Sequence, residues 1–147
     1  MARLPSEQYL MQQIGGEVIL FEDYTEREIV RFDPSDTSAT ASALGVIRDS
    51  GLGDEDKSFA PFWAGYFASY AGHPGPEPGS PVTFDEAICR VGVFGENNHA
   101  PIADFDPRDA NTAAQAQKKV YDSALSPEKK SLAHFWCGFF YGHCAAK

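Results

Sequence analysis

Apolar side chains return every three or four positions at two places in the chain. The first set is Phe59, Phe62, Trp63, Tyr66, Phe67 and Tyr70; the second is Leu132, Phe135, Trp136, Phe139 and Phe140, with His143 completing the row. That spacing follows the 3.6-residue period of a helix and predicts two helices, each with one wide apolar face. A different pattern precedes each of them. The runs "EVILF" (17–21) and "EIVRF" (28–32), and then "RVGVF" (90–94) and "PIADF" (101–105), are short, β-branched and aromatic. Each pair is separated by a polar stretch and predicts a hairpin with a long loop. In the second pair Gly95, Asn97 and Asn98 suit that loop.

"FDPSD" (32–36) and "FDPRD" (105–109) follow the hairpins. Asp33 as N-cap, Pro34 at the first helical position and Asp36 at the third predict a helix start; Asp106, Pro107 and Asp109 repeat it. The segments that follow, "DTSATASALGVIRDS" and "DANTAAQAQKKVYDS", are rich in alanine and admit a close helical partner. The aromatic helices begin near Gly53-Asp54 and at Ser126-Pro127, where Ser126 caps and Glu128 sits in the first turn. Pro61 falls inside the first aromatic helix and predicts a kink there or a later start. "PSEQYLMQQIGG" is expected to be a further helix, capped by Ser6 and stopped by Gly15, with "TFDEAI" (83–88) as a weaker counterpart capped by Thr83.

These patterns repeat at one offset. Trp63 and Trp136 are the only tryptophans, and 136 − 63 = 73. At that offset Val18–Gly72 aligns on Val91–Ala145 without a gap, with 20 identities in 55 positions. The matches include Pro34/Pro107, Gly65/Gly138 and the tryptophans. Rare residue types agreeing at a fixed spacing predict a tandem duplication. The expected fold is α+β, a duplicated ββαα unit of a hairpin plus two helices, with helices dominant. The first unit spans 1–72 with an N-terminal helix, a Pro/Gly linker spans 73–82, and the second unit spans 83–147. A unit of about 70 residues buries only about 60% of its unfolded surface and is marginal alone. The copies are therefore expected to pack face to face with pseudo-two-fold symmetry, as in a fused dimer. Phe62, Trp63, Phe67, Phe135, Trp136 and Phe140 are the expected core. Truncating either tryptophan to alanine is expected to cost about 3–5 kcal/mol. Gly65 and Gly138 lie inside these helices, where glycine costs about 1 kcal/mol against alanine. With Ser69 and Gly142 four residues later they predict a close helix crossing, between the copies or between subunits.

Composition narrows the function. The 147-residue chain carries a net charge of −9, which disfavours direct contact with a nucleic-acid backbone. It suits a protein partner with a basic surface, or mimicry of the charge of DNA. The N-terminus has no apolar run of the signal-peptide kind, and Leu132–Ala146 is interrupted by His134 and His143 and too short to span a membrane. Three cysteines, Cys89, Cys137 and Cys144, are an odd number in no framework spacing and suggest reduced thiols in a cytosol.

Candidate chemistry is sparse. The aspartate pairs could serve acid–base work in a cleft, but helix capping explains them. His134, Cys137, His143 and Cys144 are ligand types in a short run without the paired spacing of a structural zinc site, and their first-copy counterparts are Pro61, Ala64, Tyr70 and Ala71. His134, Cys137 and Cys144 remain weak metal candidates, and no metal or cofactor is expected. Cys137 has His134 one turn earlier, yet a buried thiol on a helix is ordinarily inert. No phosphate-binding glycine loop, G-x-S-x-G or H-E-x-x-H occurs.

At "FDP", "DEDKSFAPFWAGYF" and "PEKKSLAHFWCGFF" the chain resembles small uncharacterised proteins of actinobacterial phages, over most of its length. The resemblance implies a viral accessory or virion-associated protein made in the host bacterial cytoplasm, and it carries no catalytic residues with it. The expected function is that of a non-enzymatic structural or protein-interaction protein. The alternatives are a host-directed inhibitor, acting by binding or by acidic DNA mimicry, and a thiol or metal enzyme using His134 and Cys137.

Overall fold

The computed structural model describes residues 11–14, 16–21, 27–51, 54–71, 82–85, 87–88, 90–94 and 101–145. The chain is α+β. Its elements are β1 (Met11–Ile14), β2 (Glu17–Phe21), β3 (Glu28–Phe32), α1 (Thr37–Arg48), α2 (Asp54–Tyr70), β4 (Val82–Asp85), β5 (Arg90–Phe94), β6 (Pro101–Phe105), α3 (Ala110–Tyr121) and α4 (Pro127–Ala145). The strands form two antiparallel sheets ordered β1-β2-β3 and β4-β5-β6. Helices hold about half of the described residues, more than twice the share of the strands.

The first strand of each sheet corrects the sequence reading. Residues 11–14 were expected within a helix, and "TFDEAI" within another; both places hold strands. Ile14 pairs with Glu17, and Gly16 lies in the turn between the strands; Gly15, expected as the helix stop, lies outside the described residues. In the second sheet Asp85 pairs with Arg90, and the Asp85 carboxylate accepts a hydrogen bond from the Ala87 amide at 3.0 Å, which starts the turn. Each sheet thus has three strands rather than the two of a hairpin. Val82, placed in the linker by sequence, is the first residue of β4. The rest of the expected N-terminal helix (residues 6–10) and the linker residues 73–81 lie outside the described residues.

The helix starts shift by one turn from expectation. Pro34 and Pro107 sit in a turn closed by Asp36 N–H to Asp33 O (3.1 Å) and Asp109 N–H to Asp106 O (2.9 Å). Asp36 and Asp109 are the N-caps, accepting from the Ala39 amide at 3.1 Å and the Asn111 amide at 2.9 Å. Asp33 and Asp106 instead hold the turn, accepting from the amides of Ser35 and Arg108, each at 2.9 Å. D-P-x-D offers two aspartates, and proline as the second residue of a turn selects the later one as cap. Asp36→Ala or Asp109→Ala should each lower unfolding stability by about 1 kcal/mol in urea titration, with asparagine restoring most of it. Ser126 caps α4 through its hydroxyl, which accepts from the Lys129 amide at 3.3 Å. α2 passes through Pro61 and starts at Asp54, the position equivalent to the start of α4 at Pro127, so proline does not delay it.

The interior is a single apolar cluster drawn from both halves of the chain. Val18, Leu20 and Phe32 from the first sheet and Val91, Val93 and Phe105 from the second join Ile47, Val120 and the aromatic faces of α2 and α4. Phe84 of β4 stacks on Phe140 with ring centroids 5.0 Å apart, docking the second sheet onto α4. Phe62, Trp63, Phe67, Phe135 and Phe140 are buried; Trp136 is only partly so.

The halves meet chiefly through α2 and α4. A Cβ at Gly65 would land on the Phe135 carbonyl oxygen and 2.7 Å from the Phe139 amide; a Cβ at Gly138 would land on the carbonyl of Phe62. These contacts are reciprocal, since 62 and 135, like 65 and 138, differ by 73. Further along, Gly142 faces Ser69 and the Tyr66 carbonyl. Contacts advance together along both helices, so α2 and α4 lie side by side and point the same way. The predicted crossing lies within the chain, at glycines that let two helix backbones touch.

Candidate functional site

Parallel placement brings the N-terminal ends of α2 and α4 to one end of the molecule. There an open groove of about 580 Å³ lies between the halves. α1 supplies Arg48, α2 Lys57, α3 Tyr121, and α4 Lys130, Ser131 and His134. Asp49, just past the end of α1, also lines it and approaches Arg48 at 3.8 Å. Lys130 lies over the Tyr121 ring, 5.7 Å from its centroid. Three cations therefore face one carboxylate in a chain whose net charge is −9. Ser131 is buried, and its hydroxyl has no hydrogen-bond partner.

His134 forms the inner wall and is buried. Its Nδ1 lies 2.7 Å from Gln117 Oε1, and Gln117 Nε2 donates to the Ala113 carbonyl at 3.2 Å. Because the amide oxygen can only accept, Nδ1 carries the proton and the ring is fixed in one tautomer. Burial, with Lys130 nearby, holds the imidazole down to about 3 from an ordinary 6.5. Cys137, one turn on, is fully buried; burial pushes its thiol up to about 12, against a smaller opposing hydrogen bond from Gln117. Positions 44, 61 and 64 of the first half, equivalent to Gln117, His134 and Cys137, hold Leu44, Pro61 and Ala64. The second half thus has a polar knot where the first has an apolar contact.

No family model, curated protein or solved structure matches the chain. The site is therefore read from its own geometry. His134 and Cys137 both turn to Gln117, while Cys144 lies about two turns further along α4 and is half-buried. Among the described residues no group of three or more His, Cys, Asp or Glu is placed to hold a metal ion. The Ser131 hydroxyl makes no hydrogen bond to His134, the contact by which a histidine activates a serine. The aspartate pairs lie outside the groove. Asp106 is held down to about 2, chiefly by hydrogen bonds from the Arg108 side chain and then its amide; Ser35 lowers Asp33 in the same way. Among the described residues no helix is long and apolar enough to cross a membrane.

The groove itself was not read from sequence. Its residues come from four helices far apart in the chain, and of them only His134 stood among the candidate chemistry. Gln117 did carry a signal: it shares the 113, 116, 117, 120 spacing of the buried face of α3, but its polarity hid it.

The buried pair makes stability depend on pH. Unfolded His134 takes a proton near 6.5 and the folded form does not until about 3, so stability is full above 6.5 and falls as pH drops toward 3. Cys137 acts oppositely: the unfolded thiol ionises near 9 and the folded one resists, so stability falls as pH rises from 9 toward 12. Melting temperature measured between pH 4 and 8 should fall on the acid side, and His134→Leu should flatten that slope whatever its own midpoint.

Proposed function

We propose that the chain is a non-enzymatic structural or protein-interaction protein, a phage virion-associated or accessory protein made in the host cytoplasm. It is built from one βββαα unit written twice, residues 1–72 and 82–147, whose copies face each other across a pseudo-two-fold axis. Several facts support the duplication. The bounds of β2, β3, α1 and the start of α2 recur 73 residues later; β1 recurs at 71. The pairing irregularity at Leu20/Phe21 recurs at Val93/Phe94. Arg31 pairs with Glu17 at 3.5 Å and Arg90 with Asp104 at 2.9 Å, the same two positions with the charges exchanged.

The observation that carries the non-enzymatic reading is that the fold itself uses the chemical groups noticed in the sequence. His134 and Cys137 are buried around Gln117, and the four aspartates hold turns and caps. Quantitative mass spectrometry of purified phage particles tests the virion role. A fixed copy number per particle supports it. Absence from particles, together with a salt-sensitive complex with a host DNA-binding protein, would replace it with the inhibitor reading.

A further inference from the structure

We propose that the groove at the adjoining N-terminal ends of α2 and α4 binds the phosphate group of a small phosphorylated molecule, held by Lys57, Lys130 and the Ser131 hydroxyl. The inference is independent of where the protein acts.

Four observations converge on it. First, Ser131 lines the groove, is 7% exposed, and its hydroxyl has no partner. A serine inside a helix ordinarily returns its hydroxyl to a carbonyl of the preceding turn, as Ser69 does with the Tyr66 carbonyl at 2.6 Å. A buried hydroxyl without a partner is destabilising, and a turn of the Ser131 side chain into the groove would let an acceptor oxygen on a ligand satisfy it. Second, Lys57 and Lys130 come from opposite halves to one groove, and among the described residues neither has a carboxylate partner. Arg48 and Asp49 approach each other at 3.8 Å, which leaves Lys57 and Lys130 as the cations lining the groove without a carboxylate partner among the described residues. Third, α4 begins at Pro127 on the groove wall and directs the positive end of its dipole there, partly offset by Glu128 in its first turn. The sequence places Asp54, Glu55 and Asp56 in the first turn of α2, so α2 adds little positive potential of its own. Fourth, about 580 Å³ is the size of a small-molecule site rather than of a single ion. His134 stays neutral at the inner wall and leaves the charge balance to the lysines.

Lys57 and Lys130 are equivalent positions at the 73-residue offset, as are Arg48 and Tyr121. On the proposed duplication the ligand would sit on the symmetry axis and bridge both halves, stabilising their union by mass action.

The test is a titration of the full chain, labelled with ¹⁵N, by inorganic phosphate at pH 7.5 and constant ionic strength, with chloride as the exchanged anion. Saturable amide shifts centred on Lys57, Lys130 and Ser131 are expected. Lys130→Gln should weaken the response about tenfold, the loss of one charge-assisted contact. Ser131→Ala should weaken it as well while leaving the unliganded protein at least as stable, because it removes an unsatisfied buried hydroxyl. A second titration with adenosine monophosphate should perturb the same amides. Binding weaker than about 50 mM for both probes would overturn the proposal. So would shifts reproduced by chloride alone, or a Ser131→Ala protein that responds like the wild type.

Discussion

Gly138→Leu should yield no folded protein, and Gly138→Ala should lower unfolding stability by about 2 kcal/mol or more. In isolation the alanine change would favour the helix by about 1 kcal/mol. Here the added methyl lands on the Phe62 carbonyl, part of a backbone that cannot turn aside. The two helices must separate, and with them the faces that hold Phe62 and Phe135 at 0% and 2% exposure. Overpacking of this kind costs about 1–3 kcal/mol when neighbours can adjust and more when they cannot. Leucine adds three further heavy atoms to the same contact, enough to exceed the few kcal/mol by which small domains are stable. Gly45 supplies the control. It lies inside α1, and a Cβ there meets only the end of the Arg48 side chain, at 3.8 Å. Gly45→Ala should raise stability by about 0.5–1 kcal/mol. Urea denaturation of the three variants separates crossing from propensity: opposite signs at 45 and 138 are expected, and a stabilised Gly138→Ala would mean that the helices do not touch there.

Phe135→Ala should cost about 3–5 kcal/mol, and Phe62→Ala the same, because both rings are enclosed. Phe62 packs edge-on against Trp63 at 5.4 Å and lies at the same distance from Tyr141, across the crossing, so its loss opens a cavity at the junction of the halves. Trp136→Ala should cost less than Phe135→Ala although the indole is larger. Trp136 is only partly buried and leans on Phe135 and Phe139 with centroids at 4.7 and 5.6 Å. The sequence treats the two tryptophans alike; the structure separates them, with Trp63 at 7% exposure. Thermal unfolding of Trp63→Ala and Trp136→Ala side by side should show the larger drop for Trp63.

That asymmetry shows what the sequence can carry. The 3.6-residue period located α2 and α4, and a glycine in each aromatic stripe announced the crossing, because a costly residue at a regular position needs a tertiary cause. The strands β2, β3, β5 and β6 were legible from β-branched runs. β1 and β4 were not: "MQQI" lacks a strand pattern, and the β-prone Val82, Thr83 and Phe84 run into "DEAI", which reads as a helix; pairing with β2 and β5 decides their state. The caps were misplaced by one turn because two aspartates flank each proline and only the turn geometry chooses between them. Equivalent positions can also differ in chemistry at equal burial: Leu44, Pro61 and Ala64 correspond to Gln117, His134 and Cys137, and all six are buried. The groove was invisible for a related reason: its lysines and its serine are ordinary surface types until α2 and α4 are laid side by side.

The central claim is that the α2–α4 crossing joins both halves into one cooperative core. Native-state hydrogen exchange as a function of denaturant tests it most directly. The central amides of α2 and α4, around Ala64–Ala68 and Cys137–Tyr141, should share the highest protection and open together at the free energy of global unfolding. If one helix exchanged through a separate, lower-energy opening while the other stayed protected, the halves would be two independent units and the shared core would be wrong.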